Sequence, residues 1–206
     1  MVLVTIRLTP TPMTWVFTGD SIAQAVLHTH GARGWVEHLH ERIRWQLDRL
    51  QDVVINTAVS GWTAPLVLDH YDHLVGRFSP DVVSVALGTN DAKGSDVAGF
   101  AAALGEIARR ATAGGAQLIL HTPVTMSLSA SQQHPALGAY AESVRHVAVA
   151  SGAVLVDHYA HWQAAFGDAE PLAWLDDPRH PNAAGHLAMA DLTLRRIGLG
   201  PLVDRP

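Results

Sequence analysis

The sequence predicts a three-layer α/β/α sandwich in which helices cover both faces of a central, mostly parallel sheet of about five strands. Two patterns predict this fold. Short apolar segments alternate with longer helical segments, as expected when each strand reaches the next parallel strand through a right-handed helical crossover. Segment 82–87 is apolar at almost every position, which is typical of a strand with helices on both faces.

Each predicted strand is a short apolar run, and the runs are 15–17, 52–59, 82–87, 117–120 and 153–156. Between them, apolar residues that recur every three or four positions, or an alanine-rich composition, predict helices. The helical segments are 22–27, 36–50, 65–76, 96–113, 136–150, 160–166 and a last one that begins at Pro181. In this last helix we expect a core-facing set of apolar residues, namely Ala184, Leu187, Leu194 and Ile197.

The sequence shows no internal repeat and no second domain. We expect residues 14–200 to form one domain, preceded by an N-terminal arm, residues 1–13, that is either loose or an edge strand. The polar stretch 124–135 has no periodicity and is long enough to be a mobile loop beside a functional site.

Composition excludes several classes of function. The net charge is −5 without a run of Lys or Arg, which argues against a nucleic-acid groove or a polybasic membrane patch. The absence of cysteine excludes disulfides, thiolate metal sites and a cysteine nucleophile. We find neither a signal-peptide pattern nor the ~18 consecutive apolar residues of a membrane span, so a cytoplasmic location is expected.

Thr18-Gly19-Asp20-Ser21 lies between the first strand and the first helix. A serine at such a turn has an exposed hydroxyl, and its N–H is among the first helical N–H groups, which lack partners inside the helix. The turn suits a nucleophile that also supplies an oxyanion donor. Gly-Asp-Ser is equally ordinary turn chemistry, with Asp or Ser as a helix cap.

A second motif near the other end of the chain completes this chemistry. Asp177 precedes His180 by three residues in a loop that leads into the last helix. A weakly nucleophilic serine needs a base, and the base needs an orienting carboxylate. Ser60-Gly61 and Gly88-Thr89-Asn90-Asp91 follow the second and third strands, so all these residues are expected at one edge of a parallel sheet.

These four blocks, in this order, resemble the SGNH hydrolases, also called GDSL-type esterases and lipases, over residues 14–197. The resemblance implies a flavodoxin-like fold with Ser21 as nucleophile, His180 as general base and Asp177 as its partner. It also implies an oxyanion hole formed by the backbones of Ser21 and Gly61 and the side chain of Asn90. One departure is Ile22, where the family name has Leu, at a position expected to be buried.

Four aromatic or imidazole side chains are expected as walls of the substrate pocket, namely His28, Trp62, His121 and Trp174. For both tryptophans, core packing is the alternative. His28-Thr29-His30 with His121 is an alternative metal site, but it has no placed carboxylate or thiolate. Because hydrolysis by Ser, His and Asp needs no metal, we predict neither a metal nor a cofactor.

The sequence therefore predicts a serine esterase that hydrolyses small or short-acyl carboxylic esters, including O-acetyl groups on sugars or other polar molecules, through an acyl-enzyme. Its partner is a small-molecule ester, and its oligomeric state stays open. A thioesterase or acyltransferase would use the same residues. A non-catalytic binding module is a third alternative, although such a module would not need the complete set of site residues.

Overall fold

A computed structural model describes residues 4–202 of the chain. Its five strands are all parallel and lie in the order β2-β1-β3-β4-β5. The strands are β1 (Thr14–Gly19), β2 (Val53–Asn56), β3 (Val82–Ala86), β4 (Gln117–His121) and β5 (Val154–Val156). This sheet confirms the predicted fold. The chain order reverses between β1 and β3, where Gly19 pairs with Ala86, so ligands are expected beyond the ends of these two strands.

Helices cover both faces of the sheet. They are α1 (Ser21–Gln24), α2 (Trp35–Glu41), α3 (Ala64–Asp69), α4 (Tyr71–Leu74), α5 (Val97–Ala113), α6 (Leu128–Ser131), α7 (Leu137–Ser151), α8 (His158–Phe166) and α9 (Ala183–Ile197). Neighbouring strand residues point to opposite faces, so Val16 belongs to one core, with α3, α4, α5 and α7. Trp15 and Phe17 belong to the other core, with α2, α8 and α9.

Several predicted elements are shorter than their sequence patterns indicate. The first helix ends at Gln24 because Ala25 adopts a left-handed backbone with φ of 54°. The segment predicted as one helix over 36–50 is α-helical only to Glu41 and continues as a π-helical turn, Arg42–Gln46. The predicted helix 65–76 divides at His70 into α3 and α4.

The stretch predicted as a loop over 124–135 is partly helical and partly buried. Ser127 caps α6 by accepting a hydrogen bond from the Ala130 N–H, and the side chains of Met126 and Ala130 belong to the core. The stretch therefore contributes packing as well as a connection. The core face predicted for α9 is half wrong, because Leu194 and Ile197 are buried, whereas Ala184 and Leu187 are exposed.

A buried ion pair fixes the start of β1 beside the start of β2. Asp52 is 2% exposed and pairs with the Arg49 guanidinium through bonds of 2.7 and 2.9 Å. The same carboxylate accepts hydrogen bonds from the Met13 N–H and the Trp15 indole, both at 2.9 Å. Every strong acceptor site of the carboxylate is thus used, as a buried charge requires.

In its described part, the N-terminal segment that precedes β1 is tied to the domain and forms no edge strand. Its described part begins at Val4, and the Ile6 N–H donates to the carbonyl of Ile197 at 3.1 Å. Arg7 and Gln117 exchange two hydrogen bonds, of 2.7 and 2.9 Å. Among residues 4–202, no helix combines the length and apolar composition that crossing a lipid bilayer requires.

Candidate active site

Ser21 is the first residue of α1, directly beyond the end of β1. Asp20 caps this helix, and its Oδ1 accepts a hydrogen bond from the Ile22 N–H at 3.0 Å. Gly19 cannot be replaced without strain, because an added Cβ would lie 2.3 Å from the carbonyl oxygen of Ala86. The close approach of β1 and β3 thus explains the glycine and places the serine hydroxyl at the edge of the sheet.

An unbroken chain of hydrogen bonds runs from Ser21 to Asp177. Ser21 Oγ lies 2.9 Å from Nε2 of His180, and Nδ1 of the same ring lies 2.8 Å from Oδ2 of Asp177. The other oxygen, Asp177 Oδ1, accepts the backbone N–H groups of Arg179 and His180, both at 2.7 Å. With Nδ1 protonated, Nε2 is free to accept the serine proton.

The loop that carries Asp177 and His180 is held by the cap of α9. Asn182 Oδ1 accepts from the Gly185 N–H at 3.0 Å, and its Nδ2 donates to the carbonyls of Ala173 and Leu175. The Asp176 N–H closes the loop by donating to the carbonyl of His180 at 2.8 Å. These hydrogen bonds therefore hold Asp177 and His180 in a fixed turn.

The electrostatics of the loop favour a neutral imidazole beside a charged carboxylate. Partial burial raises the pKa of Asp177, but the hydrogen bonds from Arg179 and His180 outweigh burial and lower this pKa to about 2. Burial lowers the pKa of His180, and attraction to Asp177 only partly opposes that effect. At neutral pH the ring is therefore in the form that takes up a proton.

The two other expected oxyanion donors lie on the loops after β2 and β3. Gly61 has φ of +80°, and within the described part of the chain an added Cβ would meet nothing within 4 Å, so this backbone borders open space. Asn90 Nδ2 donates to the carbonyl of Trp62 at 3.1 Å, and its Oδ1 accepts from Lys93 at 3.2 Å. An amide nitrogen has two N–H donors, so one is left for an oxyanion.

Asp91 joins these two loops. Its Oδ1 accepts from the Ala64 N–H at 2.9 Å, and its Oδ2 accepts from the Gly88 N–H at 3.2 Å. The residue pins the start of α3 to the turn that carries Asn90. An open groove of about 360 Å³ lies beside it. Its lining is Thr63, Pro65, Asn90, Asp91, Gly94, Ser95, Asp96, Phe100 and Tyr140.

Of the four residues expected as pocket walls, His28 and Trp62 lie beside expected site residues, whereas Trp174 and His121 pack elsewhere. The His28 ring stacks on the His180 ring, and Trp62 lies beside Asn90, to which its carbonyl is bonded. Trp174 packs edge-on against Trp162 and Phe166 in an aromatic cluster. This is the core packing that the sequence left open as the alternative to a pocket wall.

His121 is not a pocket wall. It is 1% exposed and lies inside the protein, where its Nε2 is 2.8 Å from the Ser84 hydroxyl and its Nδ1 is 3.0 Å from Nε2 of His158. The position of His121 at the end of β4 suggested the sheet edge, but its side chain points into the core between the sheet and Trp35, which contacts the ring.

A metal site formed by His28, His30 and His121 is not present in the described chain, because His121 is enclosed elsewhere. The donor atoms of His28, Asp177 and His180 do lie within 4.8 Å of one another. Their two rings, however, are nearly parallel, with an interplanar angle of 9°. Because a cation binds an imidazole nitrogen in the plane of the ring, one ion cannot bind both rings well in this arrangement.

Two further acidic groups lie at this edge. The sequence indicated Asp20 as a candidate helix cap, and it gave no role to Asp176. Asp20 is 2% exposed, and burial raises its pKa to about 7. Asp176, beside the expected triad, binds His28 and His30. The only signal for Asp176 in the sequence was its position directly before Asp177. Its partners His28 and His30 lie almost 150 residues away in sequence.

One known protein family has a model that matches most of this chain. A model of the GDSL-like lipase/acylhydrolase family matches residues 17–188. Among curated proteins, no sequence matches the chain.

Three solved structures illustrate the shared fold. A catalytic mutant of Axe2, an acetylxylan esterase from Geobacillus stearothermophilus, is 22% identical with a TM-score of 0.80, covering 94% of this chain and 97% of that one. A protein described as a GDSL-like lipase from Parabacteroides merdae is 21% identical with a TM-score of 0.82, covering 95% and 99%. LAE5, an alpha/beta hydrolase from the metagenome of Lake Arreo, Spain, is 22% identical with a TM-score of 0.79, covering 91% and 95%.

Proposed function

The chain belongs to the GDSL-like lipase/acylhydrolase family of SGNH hydrolases and is a carboxylic ester hydrolase, and we propose that it cleaves small or short-acyl esters with Ser21 as nucleophile. The observation that carries this proposal is the hydrogen-bond chain from Ser21 Oγ through His180 to Asp177, with links of 2.9 and 2.8 Å. Those links give the serine a base and give the base its orienting carboxylate.

In the first half of the reaction, His180 Nε2 takes the hydroxyl proton as Ser21 Oγ bonds to the ester carbonyl carbon. The carbonyl oxygen becomes an oxyanion, which the N–H groups of Ser21 and Gly61 and the Asn90 amide stabilise. The carbon–oxygen bond to the alcohol then breaks, and His180 gives its proton to the leaving alkoxide. The products of this half are a free alcohol and an acyl-serine.

In the second half, His180 takes a proton from water, and the resulting hydroxide attacks the acyl carbon. The bond to Ser21 breaks, and the proton on His180 returns to the serine oxygen. The carboxylic acid leaves, and the enzyme regains its starting protonation. Asp177 remains ionised throughout and stabilises the imidazolium formed in each half.

The groove beside Asn90 supports a polar substrate. Asp91, Asp96, Thr63 and Tyr140 are among the residues that line it, together with Phe100. Polar residues in such walls can form hydrogen bonds with the hydroxyl groups of a sugar or polyol, which a long acyl chain cannot do. Acetylated sugars are therefore the substrate class we propose, a choice also supported by the name of the acetylxylan esterase relative.

The test is hydrolysis of p-nitrophenyl acetate, butyrate and octanoate and of acetylated xylo-oligosaccharides by the wild type, Ser21→Ala and the matched control Ser129→Ala. Ser129 is exposed on α6. We expect the wild type and the control to cleave the short esters, with rates that fall as the acyl chain lengthens, and Ser21→Ala to be inactive. Activity in Ser21→Ala would overturn the assignment. If thioesters alone were cleaved, or acyl transfer alone occurred, the ester substrate class would be wrong.

A further inference from the structure

The His180 imidazole is covered on one face by a second imidazole. The ring centroids of His28 and His180 lie 3.9 Å apart, and the ring planes differ by 9°. His28 comes from the loop after α1, whereas His180 comes from the loop before α9. A ring stacked in this way cannot tilt towards its partner without a steric clash.

The covering ring is itself anchored. Asp176 Oδ2 lies 3.1 Å from Nδ1 of His28, and its Oδ1 lies 2.7 Å from Nε2 of His30. Hydrogen bonds from His30 and His28 lower the pKa of Asp176, so its carboxylate stays charged at neutral pH. Two consecutive carboxylates therefore hold two stacked rings, Asp176 holding His28 and Asp177 holding His180.

We propose that His28 is a positioning residue that holds the His180 ring in the plane in which Nε2 faces the Ser21 hydroxyl. This inference rests on the proposed role of His180 as base. The bond to Asp177 fixes one edge of the His180 ring but leaves the ring free to swing about that edge. The His28 ring lies against one face and blocks the swing towards that side, and small losses of alignment in an active site cost large factors in rate.

His28 also shapes the surroundings in which His180 takes up its proton. Burial lowers the pKa of His180, Asp177 raises it, and repulsion from His28 and Arg179 lowers it. On the α9 side, His186 is near enough for His180 to lower the pKa of His186. Removal of the His28 ring would expose one face of His180 and remove one repelling group, so the pKa of His180 would rise.

The experiment compares His28→Ala, which removes the ring, with His28→Phe, which keeps a flat ring but cannot bind Asp176. The matched control is His30→Asn, because His30 binds Asp176 without stacking on His180 and has φ of 50°, a conformation that asparagine tolerates. For each protein, kcat, KM and the pH profile of kcat/KM are measured with p-nitrophenyl acetate, and circular dichroism checks folding.

We expect His28→Ala to lower kcat by about 10-fold to 100-fold with little change in KM, and to move the acid limb of the pH profile to higher pH. His28→Phe should recover most of kcat, and His30→Asn should resemble the wild type. A folded His28→Ala enzyme with unchanged kcat and pH profile would overturn the inference. A His28→Phe enzyme as slow as His28→Ala would do so too, since the imidazole nitrogens would then matter rather than the stack. Failure of the proposed function is a separate result, because it is seen as activity in Ser21→Ala or as a wild type that does not cleave p-nitrophenyl acetate.

Discussion

His121 Nδ1 lies 3.0 Å from Nε2 of His158 inside the protein, where neither ring is more than 1% exposed. Two imidazoles this close cannot both be charged, and burial is the main cause that lowers both pKa values, that of His158 to about 3. Burial likewise lowers the pKa of His186, to about 4. His121, His158 and His186 are therefore buried in their neutral form.

Because these three histidines are buried in their neutral form, we expect the free energy of unfolding to decrease in acid. Their folded pKa values lie below the unfolded value of ~6.5, so the unfolded chain binds more protons and the stabilisation, complete above pH ~6.5, declines as the pH falls towards 4. His186 alone accounts for about 3 kcal/mol near pH 4. Urea unfolding between pH 7.5 and 4 measures this, with His186→Asn expected to flatten the decline and the exposed His146→Asn expected not to. A wild type equally stable at pH 7.5 and 4.5 would contradict the prediction.

Asp20 acts in the opposite direction. Burial raises the pKa of Asp20 in the folded protein to about 7, above its value in the unfolded chain. The contribution of Asp20 to the free energy of unfolding is therefore highest below pH ~4, where Asp20 is protonated in both states, and it decreases as the pH rises through 7. Asp20→Asn keeps an oxygen for the Ile22 N–H but cannot ionise, so we expect it to be more stable than the wild type by a few kcal/mol at pH 8. Urea unfolding at pH 5 and 8 checks this, and an equal difference at both pH values would contradict it.

The pH profile of hydrolysis should have an acid limb set by His180. The imidazole accepts a proton only when it is neutral, and burial lowers the pKa of His180 below 6.5. The value of kcat/KM should therefore be constant above this lowered pKa and fall as the pH drops through it. Asp177, with a pKa of about 2, should not contribute to this limb. Rates with p-nitrophenyl acetate from pH 4 to 9 measure the profile. A rate independent of pH from 5 to 9 would be incompatible with a histidine base.

Replacement of Asn90 by alanine should lower kcat by about 10²-fold to 10³-fold. The amide would no longer stabilise the oxyanion, whereas substrate binding before the reaction would change little. Loss of Ser21 or His180 should cost more, on the order of 10⁴-fold to 10⁶-fold. Lys93→Ala is the control, because it removes the exposed contact to Asn90 Oδ1 but keeps the amide. Full activity of a folded Asn90→Ala enzyme would remove Asn90 from the oxyanion hole.

Asp52→Ala, which removes a buried carboxylate, should destabilise the fold by about 3–5 kcal/mol, because Arg49 would be left partly buried without its partner. Asp72→Ala provides a matched control, since it breaks an ion pair with Arg110 in which the Asp72 side chain is 85% exposed, and it should cost less than ~1 kcal/mol. Urea unfolding at pH 7 compares the two variants. Equal destabilisation by both would show that the buried Asp52–Arg49 pair contributes no more to stability than the exposed Asp72–Arg110 pair.

The order of the elements and the place of the motifs follow from local sequence. Apolar runs mark the strands, and a parallel sheet brings the ends of β1, β2 and β3 to one edge, so the separate blocks that carry Ser21, Gly61 and Asn90 could be assigned to one site. The Asp177–His180 pair could be identified because its two members share one turn.

What could not be predicted depends on contacts between distant segments or on single backbone angles. The stack of His28 on His180 and the enclosure of His121 by His158 join residues far apart in sequence. The early end of α1 depends on the left-handed backbone of Ala25, a residue that otherwise favours helices. For α9, a periodic apolar pattern left open which side of the helix meets the sheet, and the exposed Leu187 shows the result.

The separation of Ser21 from His180 by 159 residues has a consequence for the newly made protein. The last strand ends at Val156, so a growing chain has every strand of its sheet before the loop with Asp177 and His180 has been synthesised. Such a chain carries Ser21 but not yet His180. With the roles proposed for Ser21 and His180, esterase activity begins only when the final segment has docked, and its appearance during translation would time that last step of folding.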